Sequence, residues 1–238
     1  MSEGDSSDRG NLESLLSKAA DPTRAAPASE IARWSGRLPP LLLDIWRRYG
    51  LVRLAGRRLR LIEPSRYAPL MAYIFHGDPD FEGDTHAIAL GDFGGLALWS
   101  ERHGFAFLNP QLASVEAPFL LATDPPPSDA QIADMLIAMP EAAIEAFDPA
   151  GEPLHARLLA RLGRLDHDDI YAATPAPSQL GGTPEPDYIV ADALEWLEAV
   201  YTEMNVMLVD MSRNPIELRM IGQPWQPERP QQLRGGKS

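Results

Sequence analysis

The chain has no cysteine. That absence excludes disulfides, thiol nucleophiles and cysteine-ligated zinc, and it suits a reducing compartment. No apolar run approaches the roughly 18 to 20 residues that a membrane span requires. Met1 to Gly10 is polar and acidic, without the basic stretch and apolar run of a secretory leader, so the expected location is cytoplasmic, with no membrane partner. The motifs of common catalytic sites are missing too: there is no G-x-S-x-G elbow, H-E-x-x-H pair, Walker loop or C-x-x-C. Positive charge is scarce over most of the chain. Tyr67 to Asp210 holds 24 acidic residues against only Arg102, Arg157, Arg161 and Arg164. A surface so charged repels nucleic acid and draws basic partners, whose encounter it accelerates.

What is present is enough for a sizeable core. The 238 residues are 45% hydrophobic, carry a formal charge of -13, and allow one large or two small domains. The arginines are concentrated early. Arg33 to Arg66 contains nine of them against Asp44 and Glu63. Within that stretch, Leu51 to Ile62 reads as a two-stranded ribbon broken at Ala55-Gly56, with apolar residues on one side and arginines on the other. Such a patch either binds nucleic acid, as a DNA-binding regulator using residues 47–66 would, or forms a solvated edge or an internal ion-pairing face against the acidic remainder. The absence of interleaved aromatics, which single-strand binders use for stacking, favours the second reading.

Along the chain, residues 1–29 are rich in Ser, Asp, Ala and Pro and are expected to be a disordered or loosely docked arm, in which Leu12, Leu15 and Leu16 allow one short amphipathic turn or two. Leu38 to Tyr49 reads as a helix, with Pro39 and Pro40 suited to its first turn and Gly50 to its end. Ser65 to Phe75 is a second helix, with an apolar stripe at Tyr67, Leu70, Met71, Ile74 and Phe75. His76 to Asp84 is an acidic loop that has the composition of a calcium loop but lacks its D-x-D-x-D-G register and twelfth-position glutamate. Two apolar runs, His86 to Leu90 and Leu96 to Trp99, flank Gly91-Asp92-Phe93-Gly94-Gly95, and a third follows at Gly104 to Leu108. This predicts a three-stranded antiparallel meander, with a further strand within Gln111 to Phe119. Proline-rich Ala122 to Ser128 divides the chain. Beyond it, helices are expected over Asp129–Met139 with Ser128 as cap, Glu141–Phe147 and Pro153–Leu162. Tyr171 to Pro186 reads as loop. Asp187 is expected to cap a long helix from Tyr188 to Met204, with Ile189, Ala193, Leu197, Val200 and Met204 on one stripe. Disorder is expected over 222–238.

Several of these stretches carry a resemblance. Ile88 to Leu96 with Leu98-Trp99, preceded by Leu38-Pro39, Trp46-Arg47, Tyr49-Gly50 and Leu61 to Tyr67, and followed by Asn109-Pro110, resembles the GAD-like domain of bacterial type VI secretion immunity proteins. Downstream, Arg161 to Leu165, Asp169-Ile170-Tyr171, Pro175-Ala176 and Leu180-Gly181-Gly182 are similar to the companion C-terminal domain of those proteins. Ala172-Ala173 stands where that pattern usually has Gly-Phe. The resemblance implies an antitoxin that binds and neutralises a cognate DNase effector, with no cofactor and no catalysis of its own.

The expected fold is therefore α+β: a GAD-like antiparallel meander with flanking helices over 30–121, then a mainly helical α+β C-terminal half over 128–212. A metal-dependent enzyme is the competing chemical reading. Its most suggestive feature is His167-Asp168-Asp169, but three neighbours in sequence point in different directions and rarely converge on one ion. Toxin contact is expected from acidic loops, because a scaffold holds loops while their side chains remain free. The candidates are Asp78, Asp80, Glu82 and Asp84, then Asp166, Asp168 and Asp169 beside Gly181 and Gly182.

Overall fold

A computed structural model describes Leu12, Leu16 and residues 20–54, 58–176 and 187–222. Its first half holds β1 (Ala20–Arg24), α1 (Ala28–Trp34), α2 (Pro40–Tyr49), β2 (Leu51–Arg53), β3 (Leu59–Leu61), α3 (Pro64–Ile74), β4 (Thr85–Gly91), β5 (Leu96–Ser100), β6 (Gly104–Asn109) and β7 (Ser114–Ala117). The second half holds α4 (Ser128–Ala138), α5 (Glu141–Ile144), α6 (His155–Leu162), β8 (Asp169–Thr174), β9 (Asp187–Asp192), α7 (Ala193–Glu203), β10 (Met207–Asp210) and β11 (Glu217–Met220). Nine strands form one sheet in the order β1-β2-β3-β4-β5-β6-β7-β10-β11, and β8 pairs with β9 separately. Every pair is antiparallel except β7 with β10. The fold is α+β, as the sequence predicts.

The meander is where the sequence placed it. Gly94 takes a φ of 85°, which a glycine adopts without strain, and its N–H donates to the Gly91 carbonyl to close the β4–β5 turn. A Cβ on Gly95 would lie 2.6 Å from the Phe107 ring, so the turn also depends on close packing. Alternation along β5 sends Leu96 and Leu98 to one face of the sheet, and Ala97 and Trp99 to the other. The first face is covered by α3 and α7, through Tyr67, Leu70, Leu197 and Val200. The second is covered by α1, α2 and α4, through Trp34, Leu42, Trp46, Ile132 and Leu136. A register shift between Ala87 and Ala89 of β4 allows the consecutive Ile88 and Ala89 to join the same face.

Five expectations are corrected. The arm expected over 1–29 contains β1, which pairs with β2 through Ala20↔Arg53 and Arg24↔Leu51, while Leu12 and Leu16 are buried. An edge strand tolerates Pro22, which a central strand would not. The stretch expected as loop from Tyr171 begins inside β8, paired from Asp169↔Asp192 to Thr174↔Asp187; residues 177–186, with Gly181 and Gly182, lie outside the described residues. The last helix starts at Ala193 rather than Tyr188, because the carboxylate that caps it belongs to Asp192: it accepts from Leu194 N–H at 2.9 Å and Glu195 N–H at 3.1 Å. The β-branched Ile189-Val190 pair goes into β9, where such residues fit a pleated surface. Likewise Ser128 is the first residue of α4 and not its side-chain cap. The two last strands, β10 and β11, lie where no strand was expected, and they extend the sheet of the first half.

Candidate functional site

The arginine-rich ribbon turns inward. Of its side chains, Arg60 is fully buried, contrary to an expected arginine face opposite the apolar one. Its Nε donates to the His167 carbonyl at 2.6 Å, one guanidinium nitrogen to Asp92 Oδ1 at 2.7 Å, and the other to the Asp169 carbonyl. Asp92 sits in the β4–β5 turn and also receives Arg53 at 2.6 Å and faces His155 Nε2 at 3.1 Å. Its own carbonyl accepts from Tyr171 N–H at 2.8 Å. Burial pulls the Arg60 guanidinium down to about 10, against the opposing pull of Asp92, so it stays charged near neutral pH. Burial pushes the Asp92 carboxyl up, but His155, Arg53 and Arg60 together outweigh it and hold it below the usual carboxylate range. The cluster fastens residues 167–171 onto β2, β3 and the β4–β5 turn.

Three further arginines of this segment also pair with carboxylates that come later in the chain. Arg66 pairs with Asp168 and, at 2.6 Å, with Asp192; Arg58 pairs with Glu145; Arg37 pairs with Glu101 at 2.7 Å. Arg24 joins Asp168 at 3.1 Å. Arg37, Arg53, Arg58, Arg60 and Arg66 thus meet carboxylates that follow them in the chain, the internal ion-pairing arrangement that the charge pattern allowed.

The predicted acidic loops occupy opposite ends of α3. Arg66 in its first turn holds Asp168, and the 76–84 loop follows its last turn; a helix of this length spans about 16 Å. Asp78 is buried and structural. It accepts from the N–H groups of Asp80, Phe81 and Gly222 and from Arg219, which also reaches Asp80 at 2.6 Å. Burial works to raise the Asp78 carboxyl, yet the bonds from Arg219, Gly222 and Asp80 prevail and lower it. Asp84 is taken up by Arg102 and by the Thr85 and Ser100 hydroxyls. Glu82 is exposed, with only an exposed His76 at 3.2 Å, and Asp166 is exposed. Asp168 is committed to arginines, and the Asp169 carbonyl to Arg60. Of the seven predicted carboxylates, Glu82 and Asp166 are therefore the two that face solvent most freely. His167 does not converge with its neighbours on one point: its Nε2 lies 3.2 Å from the Leu51 carbonyl, while Asp168 turns to Arg66 and Arg24. Burial lowers the His167 pKa despite the bond with Asp168. Among the described residues, no group of three or more His, Asp or Glu is arranged to hold a metal ion.

A surface that the sequence reading missed lies between α4 and the sheet. An open groove of about 310 Å³ is lined by Phe105, Phe107, Phe119, Met135, Met139 and Met211. Gln131 fixes its wall: Oε1 accepts from Phe105 N–H at 2.9 Å, and Nε2 donates to the Pro126 carbonyl at 2.7 Å. Glu116 and Asp134 stand on the rim, and neither has an ion-pair partner among the described residues. A second cleft, of about 260 Å³ beside α6, differs in that its charges cancel, Arg157 with Asp148 and Arg161 with Asp187. No pattern in the chain pointed to the groove, because it is assembled from β6, the β7 exit, α4 and the β10 exit, whose spacing in sequence is irregular. The available signal was the unmatched acid of Glu116 and Asp134 beside apolar positions.

The sequence profile of the GAD-like domain matches residues 11–109. The crystal structure of Atu4351 from Agrobacterium tumefaciens is similar over 88% of this chain and 96% of that one, with a TM-score of 0.79 and 24% identity. That likeness is one of fold. A search of curated proteins returned no match.

Proposed function

We propose that the protein is an immunity protein that binds and neutralises a cognate DNase effector of a type VI secretion system, as a binder without a reaction of its own. The observation that carries this reading is the GAD-like match over residues 11–109, joined to the companion motifs around Arg161–Leu165 and Asp169–Tyr171. The surface supplies a physical route. A nuclease must be cationic where it meets a polyanion. An apolar groove with unpaired carboxylates on its rim offers such a surface both attraction at a distance and desolvated contact on docking. DNases and their immunity proteins form some of the tightest complexes known, so stoichiometric neutralisation needs no turnover.

The test is co-expression of a type VI DNase effector, taken from the neighbouring reading frames if one encodes a nuclease domain, with and without this chain, while plasmid integrity is followed. Protection is expected, and inhibition in a purified titration should saturate at equal amounts of the two proteins. Plasmid degradation at the same rate in both cultures sinks the reading.

A further inference from the structure

We propose that the open sheet face beside the α4 groove receives a cationic amphipathic helix from the partner; this rests on the immunity reading, in which the nuclease supplies that helix. Helical cover on this side of the sheet stops at β6. One cross-strand row runs Phe107, Glu116, Val209, Leu218 through β6, β7, β10 and β11. Exposure along it rises from 3% at Phe107, which packs with Ile132 and Met135 of α4, to 62% at Leu218. Alternation puts Met207 and Met220 on the same side, 38% and 46% exposed, and Met211 in the wall of the groove. The opposite side of these strands is closed by Val115, Ala117 and Leu208, which belong to the core under α3 and α7. The strands thus have their core on one side and a second apolar side open, continuous with the groove through Met211.

The dimensions fit one helix. Met207 to Met211 spans about 13 Å along the chain, and β7 to β11 about 10 Å across the sheet. A helix is about 10 Å wide, covers that length with about nine residues, and presents an apolar stripe at i, i+3, i+4 and i+7. Helices α1, α2 and α4 already cover the neighbouring strands on this side. The lining suits an element from outside the chain: five of the eight methionines, Met135, Met139, Met207, Met211 and Met220, lie along it, and unbranched thioethers adapt to incoming anchors. Charge decides the kind of helix. Arg213 is held by Asp210 and Glu217, and Arg219 by Asp78 and Asp80. Glu116 and Asp134 have no ion-pair partner among the described residues, so the uncommitted charge at this surface is negative. A second copy would bring four such carboxylates into one interface. A helix with arginine or lysine along its flank toward α4 meets them with opposite charge.

Two helical peptides of about 14 residues read the surface without the nuclease, both with leucine at i, i+3, i+4 and i+7, one with lysine and the other with glutamate elsewhere. The lysine peptide should bind the full-length chain about tenfold or more tighter than the glutamate peptide at low salt. Leu218→Ser should weaken its binding by about tenfold or more, with unchanged circular dichroism, because it removes apolar contact area from a side chain that lies in solvent when the chain is free. Ile189→Ser, also exposed but on β9, should leave binding unchanged. Equal binding to Leu218→Ser and to the unmodified chain, or no preference for lysine, overturns the proposal. So does a chain that sediments as a dimer until Leu218→Ser separates it, which gives the face to a second copy. Peptide binding that appears only after removal of residues 223–238 gives the face to the chain's own tail and overturns it equally. With a nuclease that the chain neutralises, Leu218→Ser should raise the dissociation rate by about tenfold. An unchanged rate overturns the surface and leaves the immunity reading standing. Leu218-dependent binding of the lysine peptide by a chain that protects no plasmid supports the surface and overturns the immunity reading.

Discussion

Two regions of this molecule treat negative charge in opposite ways. Around β2, β3 and the β4–β5 turn, carboxylates are buried or half-buried and matched: Asp92 with Arg53 and Arg60, Asp168 with Arg24 and Arg66, Asp192 with Arg66. Around α4 and the exits of β7 and β10, Glu116 and Asp134 border an apolar groove with no arginine paired to them among the described residues. The chain segregates its charge in sequence, arginines early and acids late, and folding brings most of the two together. The net charge of -13 is thus a remainder, and its location matters more than its size. Matched acids hold the fold; unmatched acids beside apolar surface are available to a partner.

The sharpest way to break the matched region is to remove Asp92. Arg60 would keep its two carbonyl partners but lose the charge that accompanies it in the interior. Stranding one member of a buried ion pair costs about 3 to 5 kcal/mol. We expect Asp92→Ala to lower urea-unfolding stability by that amount. A loss under about 1 kcal/mol would show that Arg53, His155 and the carbonyls do not depend on the carboxylate, contrary to the arrangement described.

A smaller loss is expected at Asp78, which ties the 76–84 loop to β11. Asp78→Ala leaves the Phe81, Asp80 and Gly222 N–H groups without their acceptor and should cost about 2 to 3 kcal/mol. The sign of the pH effect follows from the direction of its shift. The folded carboxyl titrates below its ordinary 3.8, so its contribution is present above that value and disappears as pH falls through the folded one. The same direction holds for Asp92 and Asp168. Stability should therefore fall in acid below about pH 4, and less steeply in Asp78→Asn. Equal slopes in the two proteins would count against the Arg219 linkage.

How much of this was legible in sequence depended on whether the signal was local. Gly91 to Gly95 between two apolar runs announced the turn, and Pro40 and Gly50 bracketed α2, because these are backbone preferences of single residues. The cap of α7 was misplaced because Asp187 and Asp192 both precede apolar residues, and only strand pairing with β8 decides between them. Charge segregation suggested internal pairing, but not that Asp92, itself in a turn, would be the acid that meets Arg60. The acidic loops were legible as loops; that Asp78 is buried was not, since its partner Arg219 comes 141 residues later. The groove left only a weak trace, Glu116 and Asp134 beside apolar positions, because its walls come from four separate stretches of the chain.

The unmatched region is tested through binding, where the effect on the fold itself should be slight. If the proposed nuclease docks on the groove, reversing both rim charges, Glu116→Lys with Asp134→Lys, should slow its association by about tenfold at low salt, as rim charges act on encounter. The deficit should shrink as the Debye length falls from about 10 Å at 0.1 M salt to about 3 Å at 1 M. A deficit that persists unchanged at high salt would place these residues in desolvated contact rather than on a rim.

The smallest expected effect separates the groove from the acidic loops. Glu82 and Asp166 lie at opposite ends of α3 and face solvent, so Glu82→Gln and Asp166→Asn should each change stability by no more than about 0.5 kcal/mol. Their neutrality in folding makes them clean probes of binding. A toxin seated on the groove would sense them only through the long-range field, as a change in association rate of about twofold that vanishes at high salt. A toxin seated on either loop would bury one of them against an arginine, and that substitution would then raise the dissociation rate and cost about 2 to 5 kcal/mol of affinity. Measuring both rates for both variants assigns the interface: an effect confined to association keeps the groove, and a dissociation effect at either residue moves the contact to that loop.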